Sequence, residues 1–104
     1  MATQQFIEQI AAFGKSILPK DASLWLYGSQ ARGEATKDSD WDLLILLNKD
    51  KRELSDNKYA DQLSVYGFDH NQYVSPQTYT RKEWAAMYFM PFVKNVEHDK
   101  IVLV

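Results

Sequence analysis

The chain has 104 residues, of which 45% are hydrophobic and 25% charged, as is typical of one globular domain that can bury a core. The absence of cysteine excludes disulfides and thiolate metal sites, and the formal net charge of −2 disfavours general nucleic-acid binding. The first residues lack a secretory signal pattern, and no apolar stretch approaches the ~20 residues that cross a membrane. We therefore expect one cytoplasmic domain, residues 1–104, with no membrane contact.

The first half of the chain predicts two helices and two strands. Apolar residues at spacings of three and four indicate an amphipathic helix over residues 4–18, and Pro19 supplies a stop signal. Short apolar runs at 24–27 and 41–47 predict the first two strands. Between them, a short helix is expected to begin at residues 30–32.

The second half predicts further helices and one or two strands. The expected elements are a helix over 55–66 that ends at Gly67, a strand over 68–75 closed by Pro76, a helix begun by a Thr80–Glu83 capping box, a further turn or two over 92–98, and an edge strand within 101–104. This order predicts an α+β (α/β-like) fold, with a mixed sheet of three or four strands and helices packed on it.

A Gly28-Ser29 pair directly follows the first predicted strand. Glycine at a strand end allows a tight turn and a close approach of backbone N–H groups to a ligand. The N-terminal N–H groups and dipole of the helix that follows would favour an anion. Ser29 could serve only as a helix N-cap, but that role is compatible with phosphate binding.

An Asp40-x-Asp42 motif begins the second predicted strand. Residues i and i+2 of a strand share a face, with Cα atoms about 7 Å apart. Two carboxylates so placed can share one divalent ion or bridge two ions roughly 3.5–4 Å apart. A polar turn explains Asp38 well but Asp42 poorly, because an unpartnered carboxylate within a run of Trp and Leu is costly to bury.

The two motifs together resemble the signature of the minimal nucleotidyltransferases, which are small members of the DNA polymerase beta-like superfamily. They read Gly-Ser-Gln-Ala-Arg-Gly at residues 28–33 and Ser-Asp-Trp-Asp-Leu at residues 39–43. The resemblance implies an enzyme that transfers a nucleoside monophosphate, AMP from ATP or its equivalent from another nucleotide, to an acceptor hydroxyl.

The resemblance also implies roles for individual residues. Asp40 and Asp42 would be catalytic and hold one or two Mg²⁺ ions, while Gly28 and Ser29 would cradle the β- and γ-phosphates. Arg32 would either contact phosphate or hold the loop by pairing with an acid, and the sequence leaves both roles open.

Members of this family commonly carry a third carboxylate on the strand beside the Asp-x-Asp strand. In the strand predicted over 68–75 the only acid is Asp69, at its beginning. Asp69 is therefore the candidate third catalytic acid, either as a metal ligand or as the base for the attacking hydroxyl. The alternative is an ordinary surface acid.

The resemblance further implies a protein partner. Minimal nucleotidyltransferases are often paired with a small helical HEPN protein, which in several pairs is a toxin ribonuclease that the nucleotidyltransferase modifies with AMP as its antitoxin. Large apolar residues at 84–92 could contact such a partner or pack internally. The alternative function is a binding module that neutralises its partner by contact, with catalysis weak or lost.

Overall fold

A four-stranded mixed β-sheet with helices on both faces forms the centre of the protein, as the computed structural model of residues 2–104 describes it. Side chains are described from residue 4 onward, and Met1 of the predicted domain lies outside the described range. In chain order the elements are α1 (Ala2–Ile17), β1 (Ser23–Tyr27), α2 (Gly28–Arg32), β2 (Trp41–Leu47), a 3₁₀ turn (Leu54–Asp56), α3 (Asn57–Asp69), β3 (Val74–Thr80), α4 (Arg81–Ala86), α5 (Pro91–Asp99) and β4 (Ile101–Val102). This arrangement confirms the predicted α+β fold class.

The strands lie in the order β3-β2-β1-β4, so the two strands next to the sequence motifs occupy the centre of the sheet. β1 pairs antiparallel with both β2 and β4, whereas β2 and β3 are parallel. In this register Tyr27 lies opposite Asp42, and Asp42 lies beside Ser75. The end of β1 and the beginnings of β2 and β3 therefore meet at the same end of the sheet.

One face of the sheet packs against α1 and α3. Alternate residues of the central strands point to this face, as the pleat of a strand requires. The buried residues of this layer include Leu24, Leu26, Trp41, Leu43, Ile45 and Leu47 from the sheet, together with Phe6, Ile10 and Leu63 from the helices. The odd-numbered residues of β2 thus all pack in this layer.

The opposite face packs against α4 and α5. Its core contains Trp25, Leu44, Leu46, Trp84, Val93 and Val96. Met87, Met90 and Phe92 pack against this core, whereas Tyr88 and Phe89 stay 72% and 64% exposed. The large apolar residues of the segment at 84–92 are thus mostly internal packing, and among them Tyr88 and Phe89 are exposed.

The predicted boundary between the third helix and the third strand is wrong. α3 continues through Gly67 to Asp69, and β3 begins only at Val74. A turn follows the helix, in which the backbone N–H groups of His70 and Gln72 donate to the Gly67 carbonyl and Asn71 takes a left-handed φ of 58°. Asn71, and not Gly67, is the residue with left-handed backbone, because the short polar side chain of asparagine tolerates it.

Pro76 lies within β3 and does not close it. β3 is an edge strand, where the missing N–H of proline need not break the ladder.

Two other boundaries also differ from the prediction. α2 begins at Gly28 and not at residue 30, and β4 contains only Ile101 and Val102. Within residues 2–104 no helix is both long enough and apolar enough to cross a membrane.

Candidate functional site

Asp42 is the second residue of β2 and is half-buried, and Asp40 lies exposed just before the strand. Strand alternation places Asp42 on the face of Leu44 and Leu46, toward α4 and α5. Trp41 is held between the two acids because its backbone N–H donates to the Tyr73 carbonyl at 2.8 Å. The buried strand therefore fixes the backbone from which both carboxylates project.

Gly28 lies directly against the Asp42 carboxylate. Its φ of +75° is a conformation that side chains rarely adopt, and a Cβ atom there would collide with Oδ2 of Asp42. The antiparallel pairing of Tyr27 with Asp42 brings the two segments together. The structure thus joins the glycine turn directly to the acidic motif.

Ser29 and Arg32 continue from this turn along α2. The Ser29 carbonyl accepts the backbone N–H groups of Gly33 and Glu34, which closes the short helix. Arg32 forms ion pairs with Glu34 and with Asp99 of α5, each at 2.8 Å. These ion pairs tie α2 to the end of α5, and a contact of Arg32 with phosphate stays a prediction.

Positive charge compensates the acids of the site only in part. Burial and the neighbouring Asp40 carboxylate raise the pKa of Asp42 above its usual range, and the positive charge of Arg32 offsets part of this effect. Burial and Asp42, together with Tyr79, raise the pKa of Tyr27 to about 12. Among the described residues no cationic side chain forms an ion pair with Asp40 or Asp42, so this pair would gain from a bound cation.

The donor set fits Mg²⁺. Mg²⁺ prefers hard oxygen ligands and is commonly held by one or two carboxylates plus the phosphates of a substrate. Within residues 4–104 no group of three or more His, Asp or Glu side chains is placed to hold a metal. Asp40 and Asp42 stay the candidate ligands, and nucleotide phosphates would have to complete the shell.

β3 brings a serine to this site and no acid. The β3 residues are Val-Ser-Pro-Gln-Thr-Tyr-Thr, and Ser75 is the register partner of Asp42. The Ser75 hydroxyl donates to Oδ2 of Asp40 at 3.0 Å. The sequence does not indicate this contact, because the strand predicted over 68–75 begins six residues before the observed β3.

Asp69 does not lie on the third strand, and its predicted position there is wrong. It is the last residue of α3, is exposed, and lines a cavity of about 390 Å³ with Phe13, Val65 and Tyr66. The structure thus brings Gly28, Asp40 and Asp42 together but assigns Asp69 to a different surface. Its role as a third catalytic acid stays a prediction, and no contact in the site supports it.

Tyr27 is the second neighbour of the site that sequence reasoning missed. Its half-buried ring packs edge-on against Phe92 of α5 at 5.7 Å between ring centroids, and it lies beside Asp42. Its position could be inferred from strand pairing alone: Tyr27 is the last residue of β1, and the antiparallel pairing of β1 with β2 places it opposite Asp42.

Comparisons with known proteins agree with this geometry. The model of the nucleotidyltransferase domain family matches residues 7–103. The fold resembles a solved toxin–antitoxin structure with AMP-PNP, at 17% identity and a TM-score of 0.61, covering 93% of this chain and 72% of that one. It also resembles a structure from Sulfolobus solfataricus provisionally described as a nucleotidyltransferase, at 17% identity and a TM-score of 0.59, covering 94% and 76%. No curated protein matches the chain significantly.

Proposed function

Because the chain belongs to the nucleotidyltransferase domain family, we propose that it transfers AMP from ATP to a hydroxyl group on a protein partner, with Mg²⁺ as cofactor. The observation that carries the proposal is the contact of Gly28 with Asp42. It joins a turn whose glycine has no side chain to block a ligand to two carboxylates that have no ion-pair partner among the described residues. A nucleoside triphosphate with a divalent cation matches both parts of the site, because its phosphates would bind at the turn and the cation would bind at the two acids.

Each site residue has a stated task in this proposal. Asp40 and Asp42 would hold Mg²⁺, and Gly28 and Ser29 would bind the β- and γ-phosphates through backbone N–H groups and the hydroxyl. Arg32 would add positive charge near the phosphates while it stays paired with Asp99. When bound, Mg²⁺ neutralises the charge that develops on phosphate oxygens during transfer.

The reaction forms one bond and breaks one. The acceptor oxygen bonds to the α-phosphorus of ATP, and the bond from that phosphorus to the oxygen bridging the β-phosphate breaks. Pyrophosphate leaves with the bonding electrons, and the hydroxyl proton passes to solvent water. This chain would contribute orientation: it would hold ATP beside the docked acceptor hydroxyl, which converts a bimolecular encounter into a nearly unimolecular step.

We propose a small helical protein of the HEPN type as the partner, with this chain as the antitoxin of a toxin–antitoxin pair in the cytoplasm. The similarity of the fold to a toxin–antitoxin structure with AMP-PNP supports the role as antitoxin, and the choice of a HEPN-type partner follows from the resemblance to minimal nucleotidyltransferases. The proposed unit is one domain over residues 1–104.

A second candidate function is a binding module that neutralises the partner by contact alone. The absence of any carboxylate from β3 favours it, since Ser75 stands beside Asp42 where a third acid would strengthen metal binding. Both candidates require a partner, and they differ in whether the partner is chemically changed.

Calorimetry with Mg²⁺ and AMP-PNP tests the nucleotide site. We expect saturable binding by the wild-type protein and none by the Asp40→Asn/Asp42→Asn double variant, because the amide groups keep the shape of the carboxylates but remove the charge. Equal affinity in both proteins would refute the metal-site assignment.

Mass spectrometry of the partner tests transfer. The protein encoded by the neighbouring gene is incubated with this chain, ATP and Mg²⁺, and an added AMP that is lost with Asp42→Asn indicates an active enzyme. A tight complex with no mass change would favour the binding module. Asp69→Asn belongs in the same assay, since loss of transfer with retained AMP-PNP binding would establish it as a catalytic acid.

A further inference from the structure

Ser75 is attached to the acidic pair by a hydrogen bond and by strand register. Its hydroxyl lies 3.0 Å from Oδ2 of Asp40, and its backbone is the parallel partner of Asp42. Parallel neighbours in register present their side chains on the same face. Ser75 therefore contacts one acid directly and stands beside the other.

Asp40 needs such a contact more than Asp42 does. Asp42 lies within β2, is half-buried, and is confined by Gly28. Asp40 precedes the strand and is exposed, and within the described residues Ser75 is the only side chain that hydrogen-bonds to its carboxylate. Without this bond the Asp40 side chain would be free to sample several rotamers.

A hydroxyl orients the carboxylate without adding charge. A lysine or arginine at position 75 would neutralise the acid and compete with a cation, whereas the hydroxyl leaves the negative charge of the pair available to a cation. Since no third metal-ligating side chain is available among residues 4–104, binding depends on the placement of two carboxylates.

We propose that Ser75 is a positioning residue that holds the Asp40 carboxylate in place to bind a divalent cation together with Asp42. The inference rests on the proposed function of the site. It predicts a specific loss, since removing a group that orients a metal ligand typically weakens metal binding about 10- to 100-fold.

The test measures Mn²⁺ binding to the full chain by the loss of the free-ion signal in electron paramagnetic resonance. We expect Ser75→Ala to weaken Mn²⁺ binding about tenfold or more, and Ser75→Thr to stay within about twofold of wild type because it keeps the hydroxyl. Thr78→Ala is the matched control, as it removes a hydroxyl from the opposite face of the same strand. Thermal unfolding without metal checks that all variants fold.

Two outcomes would overturn the inference alone. These are wild-type Mn²⁺ affinity in Ser75→Ala, or an affinity in Ser75→Thr as weak as in Ser75→Ala, since the hydroxyl would then not be the group that matters. Failure of the proposed site gives a different result: the wild-type protein and the Asp40→Asn/Asp42→Asn variant would then bind Mn²⁺ equally. That result would remove both the site and the role of Ser75.

Discussion

The two ends of β2 carry acidic residues in opposite electrostatic states. At the end where β2 finishes, Lys49 pairs with Glu53 and Asp56, and Arg52 pairs with Glu83. At the end where β2 begins, Asp40 and Asp42 have no cationic partner among the described residues. The difference separates acids that stabilise the fold from acids that are available to a ligand.

The pKa shifts of the two groups follow from this difference. The hydrogen bond from the Glu53 backbone N–H and the charge of Lys49 hold the pKa of Asp56 below its usual range, against the effect of burial. Burial acts to raise the pKa of Glu83, but the Thr80 backbone N–H and Arg52 lower it overall. At the other end of the strand, burial and the Asp40 carboxylate raise the pKa of Asp42.

Substitutions at the two ends should change stability in opposite directions. Asp56→Ala should lower the free energy of unfolding by about 1–3 kcal/mol, because the buried carboxylate accepts the Glu53 N–H and the Lys49 ammonium. Asp42→Asn should raise it by about 0.5 kcal/mol in the absence of metal, because the repulsion from Asp40 is removed. Urea unfolding of both variants in a chelating buffer measures this. Destabilisation by Asp42→Asn would show that the two ends are alike.

Two glycine substitutions should separate ligand binding from backbone strain. Gly28 and Gly33 have nearly the same φ, +75° and +74°, but a Cβ at Gly33 meets no atom within 4 Å, whereas one at Gly28 meets Asp42. Each change to alanine should cost about 1 kcal/mol of stability. Only Gly28→Ala should weaken AMP-PNP binding with Mg²⁺, by about tenfold or ~1.4 kcal/mol. Equal binding by the two variants would show that the turn does not form part of the site.

The pH dependence of stability should also distinguish the two ends of β2, with a smaller difference in the free energy of unfolding. A lowered folded-state pKa contributes stability above the ordinary carboxyl pKa of about 4 and loses it as the pH falls through the lowered value. A raised pKa costs stability above its own value, and the cost vanishes on acidification. In urea unfolding from pH 7 downward, the advantage of Asp42→Asn should therefore disappear before the deficit of Asp56→Ala. The reverse order would contradict the assigned shifts.

The sequence predicts the motif-bearing half of the molecule well. The run of apolar residues in β2 defines that strand to the residue, and the spacing of Asp40 and Asp42 gives their shared strand without any tertiary information. The contact of Gly28 with Asp42 could also be inferred, since both flank strands that a short connection brings together.

The second half was harder to predict because its signals are local and ambiguous. The segment from Phe68 to Tyr73 begins and ends with an aromatic residue, a type enriched in strands, yet α3 and a turn occupy it. β3 is an edge strand that carries few apolar residues, so hydrophobic periodicity indicates it weakly. Because the strand was predicted too early, Asp69 was assigned to it wrongly and the contact of Ser75 with Asp40 was not predicted. A site residue can be predicted only as well as the strand that carries it.

The position of β4 has a consequence for how the protein is made. β1 pairs with β2 on one edge, but its other edge is covered by Ile101 and Val102, which come after β2, β3 and all the later helices in the chain. During synthesis the sheet can therefore form from β1, β2 and β3 while one edge of β1 is still open. An open edge on an apolar strand is a template for pairing with other chains, so the newly made protein is more prone to association before Ile101 and Val102 emerge.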